Sequence, residues 1–223
     1  MNKLLFILCF GFASFAFSET ASNNNPDTIP PAPKSVLESL KLVSEENYFP
    51  IIKPGSWTGL PGRAVYQNFI GSDEEPELVI AFAIDTPDQY IFLMHSDKPK
   101  INFDKAVSNA YKNLESIDID FQLVGTGNQQ AEAISTSFSS EAILSQKHMR
   151  ALHEILDAET LLVSVPTRGV LRAIALDAPD EVFVDFAETH IATWNEYNNA
   201  RITLDMFVIK DGEIIDLLPV GGN

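Results

Sequence analysis

Arg63–Ile70 (RAVYQNFI), Glu77–Ile84 (ELVIAFAI) and Tyr90–His95 (YIFLMH) decide the fold class. Each is a short run rich in Val, Ile, Phe and Tyr. Between them stand Gly71-Ser-Asp-Glu-Glu-Pro76 and Asp85-Thr-Pro-Asp88, which is turn chemistry. Three such runs in succession predict an antiparallel meander. Just before them, Tyr48–Gly55 reads as extended, because Pro50 and Pro54 push their predecessors out of the helical region.

A helix is expected next at Phe103–Ser116. Phe103, Ala106, Val107, Ala110 and Leu114 make one apolar stripe at helical spacing, and Asn102 is placed to cap it. Asp118–Val124 and Ala131–Phe138 read as strands joined by a turn at Gly125-Thr-Gly127. Ser139–Ala158 reads as one helix capped by Ser139 or Ser140, and Leu161–Val165 as a buried strand stopped by Pro166. Val170–Leu176 is strand or helical turn. Pro179 opens a long helix from the N1 position, with the stripe Phe183, Phe186, Ala187, His190, Trp194 and Tyr197. Arg201–Ile209 and Glu213–Leu218 form a last hairpin through Asp211-Gly212. Strands and helices come in mixed blocks rather than strict alternation. The fold class is therefore α+β, a mixed or mostly antiparallel sheet with helices packed on one side of it.

The N-terminal end reads differently. Lys3 precedes the apolar run Leu4–Phe17, and Ala16-Phe17-Ser18 is a small-x-small exit. Residues 1–18 thus read as a signal peptide, residues 19–33 as a Pro/Asn-rich tether, and residues 34–223 as a single domain. A first helix is expected at Ser35–Val43. The expectation is export, to the periplasm or outside the cell. Cleavage removes Lys3 and Cys9, taking the formal charge from −16 to −17 and leaving no cysteine. Disulfides, thiolate metal sites and cysteine nucleophiles are then excluded. With 31 acidic residues against 15 basic ones, the chain lacks the cations that neutralise nucleic-acid phosphates or dock on anionic lipid. After the first segment no apolar run approaches the length that spans a bilayer, so no stable membrane insertion is expected once it is removed.

Little in the sequence signals chemistry. The four histidines, His95, His148, His153 and His190, show no i, i+4 pair and no H-E-x-x-H, so no metal site is expected. Asp118 and Asp120 share one side of the expected strand, but no EF-hand spacing accompanies them. No G-x-S-x-G is present, and Gly125-Thr-Gly127 is no dinucleotide fingerprint, so no catalytic residue and no cofactor are assigned. Four residues remain as binding candidates. Asn109 and Asn113 share one helix face, where amides ordinarily tie down a neighbouring loop. His190 lies on an apolar stripe, where most histidines are satisfied core residues. Arg168 follows a buried strand and Pro166, and the expected partner is a carboxylate of its own chain.

At three places the chain resembles the YtpQ-like family of uncharacterised bacterial proteins, a domain family of unknown function. The places are Phe103–Leu114 with its spaced Asn, Leu161–Leu171 with its strand followed by Pro-x-Arg, and Phe207–Gly212 with its final strand and turn. The resemblance covers about residues 45–218 and implies no activity to carry over. The functional expectation is a non-enzymatic binding or accessory protein of the cell envelope, with a protein or envelope component as partner. The alternative is a hydrolase assembled in space from His190 and carboxylates.

Overall fold

A computed structural model describes residue 38 and residues 41–57, 62–87, 89–134, 138–197 and 200–220. The expected signal peptide and tether lie outside the described residues. Of the helix expected at Ser35–Val43, Glu38 is helical and residues 41–42 form a turn; residues 35–37 and 39–40 lie outside the described set.

The architecture is α+β, with two antiparallel sheets rather than one. The first contains β1 (Phe49–Pro54), β2 (Tyr66–Gly71), β3 (Pro76–Asp85) and β4 (Tyr90–Phe92). The long β3 is central. β1 pairs along one edge, and β2 and β4 follow one another along the other. The expected meander β2–β3–β4 is present, with β1 as a strand added across it. Leu78–Ile84 is buried throughout, which is why it reads as a continuous apolar run.

β1 is an edge strand that carries two prolines. Pro50, Ile52 and Pro54 alternate onto the side of the strand turned away from β3. The prolines have no N–H to offer there, and the Ile52 N–H is taken by the Glu141 carboxylate at 3.3 Å. The edge is thereby closed to a further strand.

The second sheet has the order β10–β9–β7–β8–β6–β5. Its strands are β5 (Gln122–Val124), β6 (Gln130–Ile134), β7 (Thr160–Ser164), β8 (Val170–Ala175), β9 (Met206–Lys210) and β10 (Glu213–Leu218). Three α-helices are present among the described residues: α1 (Phe103–Ser116), α2 (Gln146–Leu156) and α3 (Asp180–Glu196). α1 lies on the first sheet, where Ala106 and Ala110 meet Ile80, Phe82 and Leu93. Its cap is as expected, with Asn102 accepting from the Lys105 N–H at 3.0 Å. The second sheet is covered on both faces, not one. Met149 and Leu152 of α2 pack with Leu161 and Val163, while Val182 and Phe186 of α3 pack with Leu162 and Ile174 on the opposite side. That is why Leu161–Val163 shows no alternation. Ile52 and Leu78 of the first sheet join the cluster built on Leu161 and Phe207, so the two sheets share a core.

Several boundaries differ from expectation. Ser139–Ala158 is not one helix. A buried 3-10 turn, Ser140–Leu144, stops at Ser145, whose backbone is extended and whose hydroxyl accepts from the His148 N–H to start α2. A serine that caps locally competes with helix continuation. The strand expected over Asp118–Val124 keeps only its last three residues, so Asp118 and Asp120 are exposed and outside it. Of the strand expected over Ala131–Phe138, β6 covers Ala131–Ile134 and residues 135–137 lie outside the described set; β9 begins at Met206 rather than at Arg201, and Pro179 is the N-cap of α3 rather than its first residue. The α3 stripe is Val182, Phe186 and His190; Phe183 and Tyr197 are exposed, 36% and 49%, and Trp194 is only partly covered. No helix among the described residues is long and apolar enough to cross a membrane.

Candidate functional site

The segment Pro166–Gly169 leaves the end of β7 and is pinned from three directions. Pro166 O accepts from the Ile202 N–H at 2.9 Å, and Ala200 O accepts both the Arg168 N–H and the Thr167 hydroxyl at 2.9 Å. Gly169 adopts φ +75°, a left-handed conformation that glycine takes without a Cβ penalty. Its N–H then points at Ser140 Oγ, 3.1 Å away. Ser140 in turn donates to Glu141 Oε2 at 2.6 Å, and Glu141 Oε1 receives the Ile52 N–H. One carboxylate thus ties the Arg168 loop, the 3-10 turn and the edge of β1 together.

On this frame sit two cations and a row of aromatic rings. The Arg168 guanidinium lies over the Tyr90 ring, with Cζ 4.7 Å from the centroid. Tyr90 is followed along β4 by Phe92, its ring 6.2 Å away, and Phe92 meets Trp57 at 4.5 Å. The Lys53 ammonium stands 5.2 Å from the Phe92 centroid and 5.3 Å from that of Trp57. Cations over aromatic faces are attracted by the ring quadrupole.

The electrostatics are unusual for so acidic a chain. The ion pairs among the described residues are Lys105–Glu46, Arg172–Glu132 and Lys210–Glu159. Neither Arg168 nor Lys53 has one, and Arg168 Nη1 is buried without a hydrogen-bond partner. Burial and the neighbouring Arg168 cation push the Lys53 ammonium down to about 8, against a smaller pull from Glu141. Burial raises Glu141 above the ordinary carboxylate value, opposed by the Ser140 hydroxyl and by Arg168. Burial also raises Tyr90, opposed by Arg168, so its phenol keeps its proton.

Among the described residues no carboxylate lies at ion-pair distance from Arg168, where one was expected. The buried acid in its field, Glu141, already spends both oxygens on Ser140 and Ile52. Asn109 and Asn113 tie α1 to the loop before β1. Asn109 Nδ2 donates to Glu45 O at 3.2 Å and Glu46 Oε2 at 3.0 Å; Asn113 Nδ2 donates to Glu46 O at 2.7 Å and Tyr48 O at 2.9 Å. His190 is wholly buried. Its Nε2 lies 2.8 Å from Leu204 O and its Nδ1 2.6 Å from Ser164 Oγ. A carbonyl only accepts, so Nε2 carries the proton and the serine donates to Nδ1. Ser164 is 0% exposed as well, so this Ser–His contact has no solvent side from which a substrate is attacked. Among the described residues no carboxylate bonds the ring. Among the described residues no group of three His, Cys, Asp or Glu converges as a metal site.

Of the four sequence candidates, the structure brings only Arg168 to the cluster. Lys53, Tyr90, Trp57 and Glu141 were missed, since they come from distant segments. One signal was legible: Lys53 lies between Pro50 and Pro54, in an apolar stretch where a cation stands out. Compared with known protein families, curated proteins and solved structures, the chain matches none.

Proposed function

We propose that this chain is an exported, non-enzymatic binding protein of the cell envelope, allied to the YtpQ-like family, that receives a small anion between Arg168 and Lys53. The observation that carries the reading is the pair of half-buried cations on adjacent aromatic rings, neither of them in an ion pair among the described residues. Acids outnumber bases two to one in this sequence, so an internal counter-ion was easily available. Two like charges held together on a pinned loop and a proline-flanked strand cost stability, and sites that wait for a ligand commonly carry such a cost. A bound anion would relieve the repulsion.

The test is thermal melting of the purified chain with acetate, lactate, citrate and phosphate, beside Arg168→Met and Lys53→Met. Methionine keeps the apolar stem of each side chain over its ring. A ligand that binds only the folded state raises the melting temperature by mass action. The expected result is a rise with at least one anion, lost in both variants, and an unliganded Arg168→Met protein as stable as the parent or more so. No anion effect, together with a clear stability loss in Arg168→Met, would make Arg168 a purely internal contact.

A further inference from the structure

The same cluster contains a nucleophile. We propose that Lys53 captures a small oxo acid as a reversible imine, with the carboxylate of that acid received by Arg168. This rests on the anion-site reading above and names its ligand class.

Three geometric facts support the assignment. Lys53 is held on β1 between Pro50 and Pro54, so its backbone is stiff, and its amine stands 5.2 Å from the Phe92 centroid and 5.3 Å from that of Trp57. No carboxylate among the described residues lies within ion-pair distance to keep it an ammonium. The nearest fixed cation is Arg168, one ring along the row. A lysine that is desolvated and set beside another cation is the recognised way to raise the share of free amine. The charged and titratable groups facing it are Arg168 from the loop after β7 and Glu141 from the 3-10 turn, with Tyr90 of β4 beside Arg168. With the ammonium at about 8, the ratio of free amine to ammonium near neutrality exceeds that of an ordinary lysine at 10.5 by about 300-fold.

The chemistry balances without a further reactant. The Lys53 Nζ lone pair forms a C–N bond to the carbonyl carbon, and the C=O π pair moves to oxygen, which takes one N–H proton. The carbinolamine then expels that oxygen as water with the second N–H proton, leaving C=N. Nothing is oxidised or reduced, and water reverses the step. The aromatic rings give the acid's carbon chain an apolar wall, while the pinned Arg168 fork supplies the planar carboxylate recognition.

The experiment incubates the full chain with pyruvate and sodium cyanoborohydride, which fixes an imine as a stable secondary amine. Peptide mapping then locates the added mass among the ten lysines. The expected result is labelling at Lys53 about tenfold above any other lysine, given its larger free-amine share, rising with pH around 8. Lactate, which has the carboxylate but no carbonyl, should protect Lys53. Arg168→Gln should lose the preference for pyruvate while still reacting with propanal. Label spread over the exposed lysines with none enriched at Lys53 would overturn the proposal, and the wild-type map alone decides this even if a variant folds poorly. The two readings fail separately. If lactate raises the melting temperature and pyruvate leaves Lys53 unlabelled, only the imine falls. If none of acetate, lactate, citrate and phosphate raises the melting temperature and Lys53 is unlabelled, both fall.

Discussion

Gly169 donates its backbone N–H to the hydroxyl of Ser140 at 3.1 Å, and through that contact the Arg168 loop is anchored to a buried acid. Ser140 is wholly buried, as is Glu141. Removing the hydroxyl leaves the Gly169 N–H without an acceptor and Glu141 Oε2 without a donor. Each orphaned buried polar group costs about 1–3 kcal/mol. Ser140→Ala is therefore expected to destabilise by about 2–4 kcal/mol, read as a lower urea midpoint with an unchanged m-value. A midpoint equal to the parent's would show that the loop does not depend on this link.

Glu141 also gives the fold a pH signature. Its carboxyl is raised above 4.5 in the folded protein, so in the interval above that value the folded state holds a proton that the unfolded state has released. The associated stability is full below the ordinary value and is lost as pH rises through the folded one. Relative to Glu141→Gln, which cannot titrate, the parent should lose stability progressively above pH 4.5. Parallel urea titrations at several pH values check the sign. A difference that is flat with pH, or that grows in the parent's favour, would contradict it.

How much of this was readable in the sequence depends on the range of the interaction. α1 was legible to the residue, because its stripe and its Asn102 cap act within a few positions of each other. The β2–β3–β4 hairpins were legible for the same reason, their turns lying in the sequence itself. The 3-10 turn was not. Ser140–Leu144 has the composition of a helix, and the acid it carries is bonded to Ile52, 89 residues away, which no local pattern shows. The site follows the same rule. Arg168 was visible as a cation after a buried strand, but its surroundings come from β1, β4 and the 3-10 turn. No periodicity connects Lys53 with Tyr90 or either with Glu141. Trp194 shows the converse error: α3 carries apolar residues on adjoining faces, and of the expected stripe the structure buries Phe186 and His190, with Val182 added, while Phe183 and Tyr197 are exposed and Trp194 is partly covered.

His190 should behave as a core residue whose protonation unfolds. Burial lowers its pKa from 6.5, with the Leu204 carbonyl opposing. Below 6.5 the unfolded chain takes up a proton that the folded ring resists, so the stability from this residue is present above 6.5 and lost as pH falls. His190→Gln should therefore reduce the steepness of the stability loss on acidification below 6.5. Ser164→Ala removes the donor to Nδ1 and should cost about 1–3 kcal/mol at neutral pH. Unchanged stability in Ser164→Ala at pH 7.5 would mean that the 2.6 Å contact contributes nothing to the core.

The two large aromatics of α3 separate a core position from a border one. Phe186 is 0% exposed and packs with Leu162, Ile174, Val182 and Met206 across the face of the second sheet. Truncating it empties a closed volume, and Phe186→Ala should cost about 3–5 kcal/mol. Trp194 instead lines an open cavity of about 210 Å³ with Ile70, Phe207 and Leu217. One face of its ring receives the Arg201 guanidinium, 4.9 Å from the centroid, and that guanidinium is held independently by the Trp194 carbonyl at 2.8 Å. Truncation there enlarges a space that water already reaches and removes one cation–π contact of about 0.5–1 kcal/mol. Trp194→Ala should accordingly cost about 1–2 kcal/mol, well below the range for emptying a closed site. Melting curves of the two variants on the same preparation decide the order. A Trp194→Ala loss equal to or larger than that of Phe186→Ala would place the helix on its other face.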